Sequence, residues 1–495
     1  MSGAEPSMDA PTLDDGVEEA LALVNAPVPA PGQGSEPGSG PARGSGRASG
    51  PGPAQGAARV QGAGGVPVPG AGSGTRHRAS AWGRARDTAV AAGRRAHRRT
   101  HRVPLAQALG QVLAAPLAAL TDLPSFDTSA MDGWAVAGPG PWHIRDAGAQ
   151  DGSGVLAGQG APVPLADGEA VRIATGARIP GEATAVIRSE HARTDDAKAL
   201  LYAERDVVTG QDIRPRGQEC RSGDRLLPEA ALVTPAVLGL AAAAGYDELA
   251  TVARPRVEVF VLGDELLAEG LPHEGLIRDA LGPMLGPWLR MLGADVVATR
   301  RLGDDAEVLF TAVSESGADV VVTTGGTAAG PVDHVHPVLG RLGAELLVDG
   351  VAVRPGHPML LARISSGKHL VGLPGNPLAA VSALLTLAEP LLRELAGRAG
   401  GALSGAGSPA PHPTPYTAPL SEGVHGHPYD TRLVPVVHRG DHVVPLRYNG
   451  PAMLRGIAAA DGLAVVPPGG TEAGGEVEVL DLPWMQLGAG EGCFT

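Results

Sequence analysis

Apolar and polar positions follow different periods along this chain, and the period changes where domains should change. Across residues 256–397, short runs rich in β-branched residues ("VEVFVL", "ADVVATRR", "ADVVVTT", "HLVGL") are separated by longer runs with apolar positions three and four apart ("IRDALGPMLGPWLRMLG", "AEVLFTAVSESG", "HVHPVLGRLG", "LAAVSALLTLAEPLLRELAG"). Strand and helix in that alternation predict a doubly wound, mostly parallel α/β domain over residues 253–399, with helices on both faces of the sheet. Before it, "VPLAQALGQVLAAPLAAL" has apolar residues at helical spacing and stops at "TDLPSFDTS", where Pro and Asp break it. Short alternating runs with Gly and Asp turns then predict an inserted β domain, residues 129–213, and the helical "PAVLGLAAAAGYDEL" returns to the first segment. The first domain is therefore expected to be discontinuous and largely helical, residues 76–128 and 214–252. Past a Pro/Gly/Ser linker, residues 400–415, the segment 416–490 alternates short strands with Gly turns as a small β-barrel would.

Composition changes the picture at the N-terminus. Residues 1–75 are dominated by Gly, Pro, Ala and Ser, with too little bulky apolar surface to offset the entropy of ordering, and are expected to be disordered. Within them "TLDDGVEEALALVNA" could form one short helix capped by Asp14 or Asp15. The Arg- and His-rich "RHRASAWGRARDTAVAAGRRAHRRTHR" has an Ala-spaced helical pattern, read as a solvated helix leading into the fold.

Charge and cysteine content narrow the function. With 53 acidic against 39 basic residues and a formal charge of −14 among 495 residues, the chain lacks the surplus cations of a general nucleic-acid binder. Cys220 and Cys493 make no disulfide framework, and a cytoplasmic location is the simplest expectation. No stretch is apolar for the length of a membrane span, and no secretory signal is expected.

Chemistry concentrates where strands should end, since ligands of such sheets bind beyond the carboxyl ends of the strands. One run leads into "GDELLAEG", with Asp264 and Glu265; a second into "TTGGTAAGPVDHVHPVLG", a glycine loop opening a helix; a third into "LPGNPLAAV", a tight turn with Pro377 in the first helical turn. Singly these are a helix cap, a short connection and a turn. Together at one sheet edge they suit an anionic ligand met by amides and carboxylates. A fourth stretch, "PSFDTSAMDGWAV", sets Phe126, Met131 and Trp134 among turn residues, where a plain surface turn would use only small polar ones. His425, His427 and His438 lack the paired spacing of a metal site.

These motifs, with "TGARIPGEATAVIRSE", "IRPRGQECRSGDRLL" and "VRPGHP" in the same order, resemble those of the molybdopterin molybdenumtransferases, the MoeA-like family that includes the E domain of gephyrin. The resemblance runs from about Val103 to Pro483. It implies insertion of molybdate into adenylylated molybdopterin with release of AMP, assisted by a cation such as Mg²⁺, in a homodimer whose cleft receives the Asp132 loop from the partner subunit. It further implies Asp132, Glu265 and Asp333 as catalytic residues, and Asp264, Asp279 and Glu265 as cation-binding. Gly325, Gly326, Thr327, Gly330, Pro374, Gly375, Asn376 and His357 would hold the pterin and its phosphates; Arg432 or Arg455 could meet the same ligands. The pattern departs from the family where Val261 and Leu262 replace Ser-Thr, Ala328 a Ser, Pro331 an acid, Leu281 an Asn and His357 a Lys. An active transferase and a weakened or inactive molybdopterin-binding scaffold both share such a fold. A generic nucleotide-binding protein would explain the glycine loop alone.

Overall fold

The computed structural model describes residues 79–145, 154–328, 333–364, 368–398 and 416–484. The region expected to be disordered, residues 1–75, and the linker, residues 400–415, lie outside the described residues.

Alternation of side chains within each central strand builds two cores from one sheet. The six-stranded sheet runs in the order Asp295–Leu302, Arg256–Leu262, Val320–Thr324, His369–Leu373, Leu360–Arg363, Glu345–Asp349. Its first four strands are parallel, Leu360–Arg363 runs against them, and Glu345–Asp349 pairs antiparallel with Leu360–Arg363. Val257, Val259 and Val261 face the helix Leu281–Met291 and the continuous helical segment from Pro377–Ala383 to Glu389–Leu395. Phe260 and Leu262 face Leu309, Val313, Val335 and Leu339 of the other layer. The period of two thus gives helices on both faces, as the strand-helix alternation predicts.

The Arg-rich helix is not a solvated lead-in. Trp82–Arg95 buries Trp82, Ala85, Ala89, Ala92 and Gly93 against the α/β domain, so the small residues form a contact stripe. The Trp82 indole N–H donates to Thr386 Oγ1 at 3.1 Å. A side chain at Gly93 would place its Cβ 2.5 Å from Glu394 Cβ and 2.9 Å from the Leu391 carbonyl oxygen, which leaves room for glycine alone. Arg94 and Arg98 both reach the buried Glu394 carboxylate, at 3.0 and 3.1 Å.

The helix expected over "VPLAQALGQVLAAPLAAL" is corrected by the structure to Leu105–Ala108. Thr100–Pro104 and Val112–Leu113 instead pair antiparallel with Glu248–Val252, on either side of it. Pro104 and Pro116 interrupt the helical hydrogen-bond ladder, and the backbone groups left over are satisfied by that distant strand. Leu117–Ala118 pairs with Arg225–Leu227 and Thr128–Ser129 with Ile213–Arg214. This part is therefore built mainly from short ladders around Val103, Leu113, Leu117, Val233 and Leu249. Its main helix, Pro235–Ala243, is capped by Thr234, whose hydroxyl accepts from the Val237 N–H at 3.3 Å.

Between the two halves lies a six-stranded sheet in the order Ala192–Asp195, Leu200–Ala203, Trp142–Ile144, Glu169–Ile173, Gly133–Val136, Ala185–Arg188. Toward the C-terminus, Thr431–Arg439, Gly462–Val466, Glu476–Asp481 and Thr417–Pro419 are neighbours in that order, and His442–Pro445 pairs with the first. A Leu420–Val443 bridge joins the two ends, giving a barrel-like curl around Val434, Val436, Ala464 and Val479. Ser80–Ala81 and Val351–Arg354 extend this sheet from the α/β side. No helix among the described residues is long and apolar enough to cross a membrane.

Candidate active site

Parallel pairing brings three of the sequence motifs to one edge. Val261 is level with Thr324, and Thr324 with Leu373, so the loops that begin at Gly263, Gly325 and Pro374 leave adjacent strands side by side. Gly325 and Gly326 have φ of +80° and +65°, a left-handed pair that only glycine adopts without strain. The Gly325 N–H donates to the Leu373 carbonyl at 2.9 Å, and a Cβ on Gly375 would lie 3.8 Å from Gly325 Cα. The glycine loop and the "PGNP" turn therefore form one surface, with Gly375 and Asn376 exposed and Thr327 buried beside them. Leu262 packs under Gly326, its Cδ1 3.2 Å from where a Cβ would stand. The apolar Val261 and Leu262 thus enter the two cores, Leu262 as a floor to the loop, where the family pattern has hydroxyls.

The acidic side of this edge is larger than the sequence suggests. Asp264 and Glu265 are exposed, and neither carboxylate makes a hydrogen bond or ion pair among the described residues. Asp304, on the loop after the neighbouring strand, accepts from the Asp264 N–H at 3.4 Å through Oδ2. It was not singled out in the sequence, although "LGDD" repeats the Gly-Asp step of "LGDE". Asp305 beside it caps the helix Ala306–Glu315, accepting from the N–H groups of Glu307 and Val308 at 2.7 and 3.1 Å. Those bonds, that from Val308 foremost, hold its carboxyl below the ordinary range. Asp333, half-buried, stands where the chain re-enters the helix Val335–Arg341. Gly330 and Pro331 lie outside the described residues.

Asp279 has a different occupation. It is buried, its Oδ1 accepts from the N–H groups of Leu281 and Gly282 at 2.9 Å each, and its Oδ2 accepts from Arg301 at 2.7 Å. Helix capping and an ion pair use both oxygens, so its donor capacity does not fit a further cation. Exposed Asp264 and Glu265 do fit a hard cation that arrives with substrate phosphates, which needs only one or two protein carboxylates. Among the described residues no three His, Cys, Asp or Glu side chains form a metal-holding group.

The turn with His357 backs onto the helix Pro377–Ala383, a Cβ on Gly356 lying 3.0 Å from the Ala379 carbonyl oxygen. Its backbone carbonyl accepts from the Val351 N–H at 3.0 Å, while the buried Nδ1 makes no hydrogen bond among the described residues. The first amides of that helix, at Leu378 and Ala379, donate to the Pro451 carbonyl at 2.9 and 3.3 Å. The C-terminal domain therefore covers this helix start. Arg432 binds the His425 carbonyl and Asn449 Oδ1, and Arg455 binds and stacks on Tyr448.

Asp132 belongs to the inserted sheet. Its Oδ1 accepts from the Thr175 N–H at 2.6 Å and the Thr175 hydroxyl at 2.9 Å. The amide bond first, then the hydroxyl, hold this exposed carboxyl ionised below the ordinary Asp range. Its backbone carbonyl accepts from Ser189, and none of these bonds reaches the α/β domain. A Cβ on Gly133 would overlap the Ile187 carbonyl, so glycine lets two strands close there. Trp134 packs half-buried against the sheet, and Arg178 lies over the Phe126 ring at 5.4 Å. Trp134 thus anchors a loop whose carboxylate is held by Thr175, while Phe126 stays exposed under Arg178.

Comparison with known proteins agrees with this arrangement domain by domain. Residues 81–245 match the MoeA N-terminal region (domains I and II), 258–394 a probable molybdopterin binding domain, and 417–482 the MoeA C-terminal region (domain IV). The molybdopterin molybdenumtransferase of Staphylococcus aureus is 30% identical over 399 residues, 76% of this chain and 90% of that protein. Molybdopterin molybdenumtransferase 2 of Mycobacterium tuberculosis is 36% identical over 312 residues, 60% of this chain and 75% of that protein. The crystal structure of a molybdopterin biosynthesis MoeA protein from Pyrococcus horikosii superposes with a TM-score of 0.66 at 26% identity, covering 82% of this chain and 99% of that one. By its motifs, its domain order and its fold, the chain belongs to the molybdopterin molybdenumtransferase family.

Proposed function

We propose that this protein acts in molybdenum cofactor biosynthesis, inserting molybdate into adenylylated molybdopterin with release of AMP. The observation that carries the reading is the meeting of the glycine loop, the "PGNP" turn and the exposed Asp264–Glu265 pair at the carboxyl edge of one sheet. The amide at Gly326 would face the phosphates, with Gly325, its own N–H bonded to the Leu373 carbonyl, letting the backbone approach them, and Asp264 and Glu265 would hold Mg²⁺ brought by the substrate. When bound, that cation supplies charge neutralisation at the phosphoanhydride.

Replacing molybdate oxo groups by dithiolene sulfurs requires protons delivered to departing oxygen. Asp333 is the side chain assigned to deliver them, and Glu265 shares that role where Asp264 alone holds the cation. Asp132 is already ionised and bonded to Thr175, which suits an acceptor of protons or hydrogen bonds better than a donor. Its bonds stay within its own sheet, so it would complete the site of a partner subunit in a homodimer, across from the partner's glycine loop. Cytoplasmic location accords with such a biosynthetic role.

Complementation of a host lacking molybdate insertion tests the reading, with molybdoenzyme activity as readout. Restored activity is expected. A folded, expressed protein that fails to restore it would leave the chain as a molybdopterin-binding scaffold.

A further inference from the structure

The opposite edge of the same sheet holds a second cleft, of about 450 Å³, within the range of ligand pockets. It lies where the parallel strands begin, bounded by Asp319, Lys368 and His369 and by the end of the helix Trp82–Arg95. A five-residue strand rising ~3.3 Å per residue separates it from the proposed active edge by roughly 15 Å. Ligands of this fold gather at the other edge, so the ordinary site does not account for it.

Its lining is cationic in an acidic protein: Arg95, Arg98, Arg99, Arg363 and Lys368 against Asp319. Three of these cations are neutralised, Arg98 by Glu394, Arg99 by Asp319 and Arg363 by Glu345. Two are not. Arg95 makes no ion pair or hydrogen bond among the described residues, and Lys368 Nζ donates only to the Val313 and Ser316 carbonyls.

His369 is an observation independent of the charges. It is 3% exposed, lines the cleft, and its buried Nε2 has no hydrogen-bond partner among the described residues. Burial first, and the neighbouring Arg363 second, push its imidazole below the ordinary His range. An unpaired buried nitrogen costs stability unless an acceptor or donor reaches it.

We propose that this basal cleft binds a small phosphate monoester, its phosphate held by Arg95 and Lys368 with His369 Nε2 donating to it, and its organic part against Ala92, Ala96 and Leu395. The bridging of a dianion between two otherwise unpaired cations and a buried N–H explains all three residues at once.

Isothermal titration of the full chain with ribose 5-phosphate and with inorganic phosphate tests the site. The expected result is saturable binding of ribose 5-phosphate, tighter than inorganic phosphate, weakened about tenfold by Arg95→Glu and by Lys368→Met. Arg95 is exposed, so its replacement spares the core if Lys368→Met does not fold. Arg84→Glu, on the same helix ~16 Å away, should change affinity less than about twofold. No saturable binding, equal affinity for the two probes, unchanged affinity in the cleft variants, or an equal loss in Arg84→Glu would each overturn the proposal.

Discussion

Asp132 stands on the inserted sheet with one oxygen gripped by two Thr175 donors, whereas Asp264 and Glu265 stand on an α/β loop with free, exposed carboxylates. All three were read as site acids from similar motifs. Hydrogen bonds to the first favour its ionised form and fix its direction; among the described residues nothing commits the other two. The inserted sheet therefore presents a finished group, while the loop presents ligand capacity that only substrate and cation would use. Asp279 marks the far end of this scale, its carboxylate consumed by a helix start and Arg301.

The largest effect should come from removing either kind of carboxylate. Asp132→Asn and Glu265→Gln are each expected to lower molybdate insertion about 10²–10⁴-fold, the usual loss for an acid–base group. Mixing the two inactive variants should recover part of the activity, because a shared site leaves one intact cleft per mixed dimer. Activity that stays at the single-variant level after subunit exchange would break the comparison at its root.

Next in size is Gly133→Ala, expected to cost about 3 kcal/mol because the new methyl meets the Ile187 carbonyl. Denaturant titration should find the loss in the transition of the inserted sheet. An unchanged transition would mean that the Asp132 loop is less tightly built than its contacts imply.

Asp279→Asn should lower stability by about 1–2 kcal/mol through the lost charge opposite Arg301 and leave the proposed Mg²⁺ dependence of turnover alone. Asp264→Asn should do the reverse, raising the half-saturating Mg²⁺ about tenfold with stability within about 0.5 kcal/mol. Exchange of those two phenotypes would restore Asp279 as a cation ligand.

The smallest effect concerns pH. Asp132 has its folded-state pKa depressed, so its bonding to Thr175 is fully present above the ordinary Asp range, near pH ~4, and is lost as pH falls through the depressed value. Thr175→Val removes one of the two donors and should move the acid limb of turnover upward. A pH–rate profile that keeps its acid limb would detach Asp132 from that limb.

Much of the α/β domain was legible because its signal is local. Strand and helix periods at 256–397 and the order of the motifs are properties of neighbouring residues, and they place three loops at one edge through the rules of parallel sheets. The misread helix shows where such reasoning ends: the Ala/Leu spacing after Val103 is helical, but Glu248–Val252 supplies the backbone partners that turn its flanks into strands. In the site, the sequence determined which carboxylates, glycines and turns were available. Only the tertiary structure decided that Arg301 takes Asp279, that Asp304 joins Asp264, that Pro451 covers a helix start and that Leu262 floors the glycine loop. Side-chain identity and period are written along the chain, whereas the partner that neutralises a charge or satisfies an amide is chosen by packing between segments far apart in sequence.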